Sequence, residues 1–201
     1  MIDLDYTANT PVDERVLACF CETERLCIGN ANSRHAAGRQ AAEILHASLR
    51  HMAQMLGAKE TEIIQTSGAS ESNNTAIKGI LRASRHVGRH VITTPLEHAS
   101  VSGCLTAMQE QGAQIDVVSI DRQGRVNLDE LAELLRRDTV LVTISAVDSE
   151  LGVVQPVREI ARMLEAYPHC RLHVDATQAV GKIPISFQYA DTMSLAAHKF
   201  Y

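Results

Sequence analysis

Two rhythms of apolar residues alternate along the chain. Over residues 36–56, Ala41, Leu45, Leu49, Met52 and Leu56 fall three and four apart, which predicts one helix face, and Gly57 is placed to end it. An earlier helix is predicted over 12–26, started by Pro11. From residue 62 short runs take over. Glu62–Gln65, His90–Thr94, Gln114–Ile120, 140–147 (VLVTISAV), 171–176 (RLHVDA) and 191–197 (DTMSLAA) read as strands. Between them lie helical patterns over 71–86, 98–111, 128–136 and 156–166, with DRQG as a turn. VLVTISAV has no polar alternation, the mark of a strand buried on both faces. Strand and helix in turn predict an α/β fold, a mostly parallel sheet with helices on both faces. Residues 1–30 read as an arm and first helix, and 31–201 as one large domain.

Such a sheet binds ligands beyond the carboxyl ends of its strands, so the residues following each run matter. They are TSGASES, PLEHAS, DSELG, DATQ and HK. A sheet with only a structural task would end in ordinary turn residues. Here polar, chemically able side chains follow most of the runs.

Composition narrows the classes. Aromatic residues make up 3% of the chain and Trp is absent, so aliphatic side chains must build the core. The net charge of −5 comes from interleaved acids and bases without a basic block, which gives no nucleic-acid footprint. No apolar run approaches the roughly 18 residues of a membrane span. The N-terminus, MIDLDYTANTP, carries acids where a secretory signal needs positive charge, so the cytoplasm is expected. Five cysteines without such a signal read as free thiols. Cys19 and Cys21, two apart in a helix, point to different faces and are not read as a metal pair.

Each candidate group has two readings. TSGAS (66–70) is an anion site made by Gly68, Ser67, Ser70 and the first free N–H groups of a helix, or it is a plain helix start capped by Ser70. Asp175 caps a helix, or it pairs with a protonated pyridine nitrogen, with Gln178 in reach of a phenolate oxygen. Lys199 opens a surface turn, or it is the amine of a Schiff base, a task that desolvation favours by favouring neutral amine. His98 is structural, or it stacks on a cofactor ring and moves protons.

Seven segments decide between the readings. They are LDYTANTPVDERV (4–16), GNANSRHAAGRQA (29–41), EIIQTSGASESNNTAIKG (62–79), HVITTPLEHASV (90–101), ELGVVQP (150–156), HVDATQAVGKIPI (173–185) and AAHKFY (196–201). In order and spacing they resemble the class V aminotransferase family, most closely its NifS/IscS-like cysteine desulfurases. The resemblance implies the large domain of a fold-type I pyridoxal-phosphate enzyme, truncated before a small C-terminal domain. It implies that Lys199 holds pyridoxal 5'-phosphate as a Schiff base and that His98 stacks on its ring and assists proton transfer. Asp175 would pair with the ring nitrogen and Gln178 with the phenolate oxygen, while Ala69, Ser70 and His198 would bind the phosphate. Asn30, Ser33 and His35 match a family pattern near the active-site mouth, without a catalytic role carried over.

Three positions depart from the family. Ser149 in Asp148-Ser149 stands where a cofactor-contacting asparagine is usual, Ala196 where a phosphate-binding serine is usual, and Ala31 where proline is usual. None of the five cysteines falls at the nucleophile's position. The resemblance therefore implies the N-terminal half of a longer homodimeric enzyme that takes L-cysteine to L-alanine and passes a persulfide to an acceptor protein in sulfur metabolism and iron–sulfur assembly. The half alone is expected to be inactive. The alternatives are another class V enzyme, such as a selenocysteine lyase or aminotransferase, or an inactive paralogue. A generic nucleotide-binding domain lacks its loop, since neither GxGxxG nor GxxxxGK[ST] occurs.

Overall fold

The computed structural model describes residues 5–201. Residues 1–4, which open the acid-bearing N-terminus and include Leu4 of the first matching segment, lie outside them. The chain divides into two compact units, one of residues 9–65 with Tyr201, the other of the residues up to Ala8 together with Thr66–Phe200.

The smaller unit holds α1 (Glu14–Leu26) and α2 (Ala36–Leu56). Asp13 starts α1, its carboxylate accepting the Arg15 N–H. His35 starts α2 in the same way, with Nδ1 accepting the Gly38 N–H at 3.2 Å. Gly57 ends α2 in the left-handed conformation, at φ 67°, as its place in the pattern predicts. The strand expected at Glu62–Gln65 does not form. Glu60–Glu62 is instead one turn of 3-10 helix, closed by Glu62 accepting the Lys59 N–H at 2.8 Å. Ile64 beyond it is 76% exposed. Among the described residues no strand pairs with Ile63-Ile64 to complete its hydrogen bonds.

The larger unit holds α3 (Ala69–Ala83), β1 (His90–Thr93), α4 (Ala99–Glu110), β2 (Gln114–Val117), α5 (Leu128–Leu134), β3 (Thr139–Ser145), α6 (Val157–Leu164), β4 (Arg171–Asp175) and β5 (Thr192–Ser194). Its five strands form one sheet in the order β2-β1-β3-β4-β5, parallel at every pairing among the described residues. Successive strand residues point to opposite faces. Ile92, Val142, Ile144, Leu172 and Val174 join Leu131 of α5 and Ile160 of α6 in one core. Val91 and Leu141 join Ile77 of α3 and Val101 of α4 in the other. Burying each such side chain is worth about 1.5–3 kcal/mol. β3, the unbroken apolar run, is buried at every position.

β5 is shorter than its pattern suggests. It pairs with β4 only over Thr192–Ser194, because β4 ends at Asp175, opposite Ser194. Past that point the chain turns into a 3-10 turn, Ala197–Lys199, which carries His198 and Lys199 clear of the sheet.

Candidate active site

A cavity of about 590 Å³ opens in the larger unit beyond the carboxyl ends of β3 and β4, between the starts of α3 and α4 and the Ala197–Lys199 turn. Ala69, Ser70, His98, Ser149, Asp175, Gln178, His198 and Lys199 all line it. Parallel strands explain the convergence, since each puts its following loop at the same edge.

At one wall α3 begins at Ala69, two residues earlier than the pattern predicts, after Gly68 at φ 157°. Ser70 is therefore in the first turn and not its cap. The first helical bond runs from Ser72 N–H to Gly68 O. It leaves the N–H groups of Ala69, Ser70 and Glu71 without an intrahelical acceptor. Gly68 has nothing within 4 Å where another residue would place a Cβ. Glu71 accepts the Ser67 N–H at 2.6 Å and holds the loop.

Asp175 ends β4 and is buried. Its Oδ1 accepts the Thr177 N–H at 3.0 Å and its Oδ2 an amide hydrogen of Asn73 at 2.7 Å. His98 caps α4, with Nδ1 accepting the Ser100 N–H at 3.1 Å. Ser149 is presented by a loop that Asp148 folds. The Asp148 carboxylate accepts the N–H groups of Glu150, Leu151 and Val153 and so folds the loop, while Ser149 itself lines the cavity. Ala196 lines the cavity without a polar atom on its side chain.

Lys199 and Gln178 reach back to the N-terminal segment. Lys199 Nζ donates to the carbonyls of Thr7 at 2.7 Å and Ala8 at 2.6 Å. Gln178 donates to the same Thr7 carbonyl at 2.8 Å and accepts from Lys182 Nζ at 2.6 Å. Partial burial, then the nearby Lys199 charge, hold Lys182 below the usual lysine range.

Thr7 and Ala8 were not legible as site residues, because they act through carbonyls that every residue has. Ser145 and Glu97 carry no local signal either, although Glu97 lies in PLEHAS. Ser145 lines the cavity, and its hydroxyl donates to Glu97 Oε2 at 3.0 Å.

The donor set fits pyridoxal phosphate. The α3 amide groups suit a phosphate, Asp175 a cationic ring nitrogen, and Lys199 an aldehyde. Thr177 Oγ1, on a residue lining the cavity, is buried without a hydrogen-bond partner, a polar atom with capacity to spare. Among the described residues no cluster of His, Cys, Asp and Glu is arranged to hold a metal. No helix of these residues is long and apolar enough to cross a membrane.

A family model described as Aminotransferase class-V matches residues 2–201. The chain belongs to the class-V aminotransferase family. A cysteine desulfurase IscS of Glaesserella parasuis serovar 5 is 40% identical over the whole chain, which covers 50% of that relative. A solved NifS-like protein matches 98% of the chain with a TM-score of 0.94 at 36% identity, over 55% of its own length. The solved SspA in complex with cysteine matches 99% of the chain with a TM-score of 0.92 at 31% identity, over 58% of its own length. The chain thus spans about half the length of the class-V relatives it matches. The parallel sheet with flanking helices is the NifS-like fold, as the resemblance implied.

Proposed function

We propose that this chain is the cofactor-holding part of a pyridoxal-phosphate-dependent cysteine desulfurase. The observation that carries the reading is the meeting of Lys199, Asp175, His98 and the open start of α3 in one cavity. The similarity to named cysteine desulfurases and to a protein solved with cysteine supports L-cysteine as the substrate.

Bound in this cavity, pyridoxal phosphate supplies an electron sink for the bonds at the substrate Cα. The chain's residues do the rest. The N–H groups of Ala69 and Ser70, with the Ser70 hydroxyl and His198, hold the phosphate. Asp175 holds a proton on the ring nitrogen by charge. His98 offers Nε2 to the cavity, because Nδ1 is taken by Ser100. Lys199, whose Nζ donates to the Thr7 and Ala8 carbonyls, would hold the aldehyde and would move a proton at the substrate Cα. Ser149 and Gln178 line the same cavity and would contact the ring.

The thiolate that takes the sulfur is proposed to come from outside these residues, and an acceptor protein to take it onward. None of the five cysteines lines the cavity. Burial pushes Cys170 up to about 12 and raises Cys104, which makes both poor nucleophiles. Free thiols throughout suit a reducing compartment such as the cytoplasm. A homodimer is supported by α1, which buries none of its residues and exposes Val16, Leu17 and Phe20.

The test uses the full-length gene product with cofactor and L-cysteine. Alanine and sulfide should appear in equal amounts with a reductant present. Borohydride should fix a pyridoxyl group on the peptide carrying Lys199, and Lys199→Ala should lose both results. A keto acid as the sole product would rule out the desulfurase reading.

A further inference from the structure

Asn73 stands on the core-facing row of α3, four and eight residues before Ile77 and Leu81, and is 0% exposed. An amide in an apolar row is costly unless all its bonds are made. One amide hydrogen goes to Asp175 Oδ2 at 2.7 Å and the other to Ser100 Oγ at 2.9 Å. Its oxygen lies 3.0 Å from His173 Nε2. Asp175 fixes this orientation, because a reversed amide would set oxygen against carboxylate oxygen. His173 must then carry its proton on Nε2, and its Nδ1 accepts from Thr192 Oγ1 at 2.8 Å. Burial holds His173 down to about 4, against the opposing pull of Asp175, so the ring is neutral at pH 7 and has one proton to give.

The chain of donors continues. The Ser100 N–H reaches His98 Nδ1, which is therefore an acceptor. Ser100 Oγ, 2.8 Å from the same nitrogen, donates its hydrogen there while accepting from Asn73. The proton of a neutral His98 then sits on Nε2.

We propose that Asn73 is a positioning residue of this site. Through one buried amide it orients the Asp175 carboxylate directly and the His98 imidazole by way of the Ser100 hydroxyl. The inference rests on the reading above that Asp175 and His98 serve the cofactor. His173 and Thr192 lock the amide from behind. An apolar residue would fill the same row and leave the Asp175 carboxylate and the Ser100 hydroxyl free to turn, so the network orders the site at the expense of an easier core.

The experiment uses the full-length protein carrying 15N-labelled histidine, with the His98 signals assigned by their loss in His98→Gln. In the cofactor-free parent, Nδ1 should resonate as an acceptor nitrogen and Nε2 as N–H. Asn73→Ala, which does not touch His98, should move the Nδ1 signal toward that of a less strongly hydrogen-bonded acceptor nitrogen and leave Nε2 as N–H, because the Ser100 N–H still reaches Nδ1 while its hydroxyl is freed. Ser100→Ala should do the same and Ser100→Thr should restore the parent pattern. The dissociation constant for pyridoxal phosphate should rise about tenfold or more in Asn73→Ala, which loses a charge-assisted bond to Asp175, and less than about threefold in Ser100→Ala. Unchanged His98 signals in Asn73→Ala would overturn the proposal. If that variant fails to fold, unchanged signals in Ser100→Ala overturn it instead. Unaltered cofactor affinity in Asp175→Ala would overturn the cofactor reading, while the His98 signals would still decide the coupling.

Discussion

Glu97 carries a charge problem that the fold resolves with a proton. Thr94 Oγ1 and the Ser145 N–H donate to its Oε1 at 2.8 and 2.9 Å, and Ser145 Oγ to its Oε2 at 3.0 Å. Burial nevertheless pushes the carboxyl from 4.5 up to about 7, and the Asp175 charge adds to the push. The folded protein therefore binds this proton more tightly than the unfolded chain. The associated stability is present below about pH 4.5 and is lost as pH rises through about 7, by at most about 3 kcal/mol. A glutamine can accept the same two bonds with its oxygen and donate to Ser145 Oγ. Glu97→Gln should accordingly match the parent's melting temperature near pH 5 and exceed it increasingly toward pH 8. A difference that stays constant across that range would mean the carboxyl does not titrate as its surroundings require. Glu97 and Asn73 were not read as site residues for one reason. Each acts through contacts with residues distant in sequence, Ser145 and Asp175, and no local pattern announces them.

Two helix glycines show how packing can reverse a local preference. Inside a helix, Gly→Ala normally stabilises by roughly 0.5–1 kcal/mol. Gly79 in α3 has nothing within 4 Å of where a Cβ would stand, so Gly79→Ala should follow that rule. Gly38 in α2 would place a Cβ 2.3 Å from Ser33 O and 2.8 Å from Asn30 O, both backbone atoms. Gly38→Ala should destabilise, by roughly 1–3 kcal/mol. Denaturant melts of the two variants should move in opposite directions, and a stabilised Gly38→Ala would show that the 30–38 turn yields without cost. The same contrast explains what the chain made legible. Helix periodicity and the apolar run of β3 sit within one element, so their positions followed from the pattern. Asp175, His98 and Lys199 were reachable because parallel strands send their following loops to one edge. The strand expected at Glu62–Gln65 failed because pairing is a property of neighbours, and four residues hold no information about theirs. β5 came out short for the same reason, since its partner β4 ends at Asp175.

At the scale of the molecule, the cavity joins parts of the chain that are far apart in sequence. Thr7 and Ala8 meet Lys199 at one side, and α3, β4 and the Asp148 loop complete the walls. A ligand that touches all of them binds the folded protein and has no counterpart site in the unfolded chain. At a free concentration of 100 times its dissociation constant, such a ligand stabilises by about 2.7 kcal/mol. The shift per kcal/mol falls with chain length, to about 1–2 °C for a protein twice this length, so pyridoxal phosphate should raise the melting temperature by roughly 3–5 °C. Thermal melts of the full-length protein check this, with two controls that divide the effect. Pyridoxal, which lacks the phosphate, should give a smaller rise if the N–H groups at the start of α3 hold that group. Lys199→Ala should also give a smaller rise, because the lysine's link to the aldehyde is lost. An equal rise with pyridoxal would remove the phosphate from α3, and an equal rise in Lys199→Ala would remove the lysine from the ligand, whatever the effect on turnover.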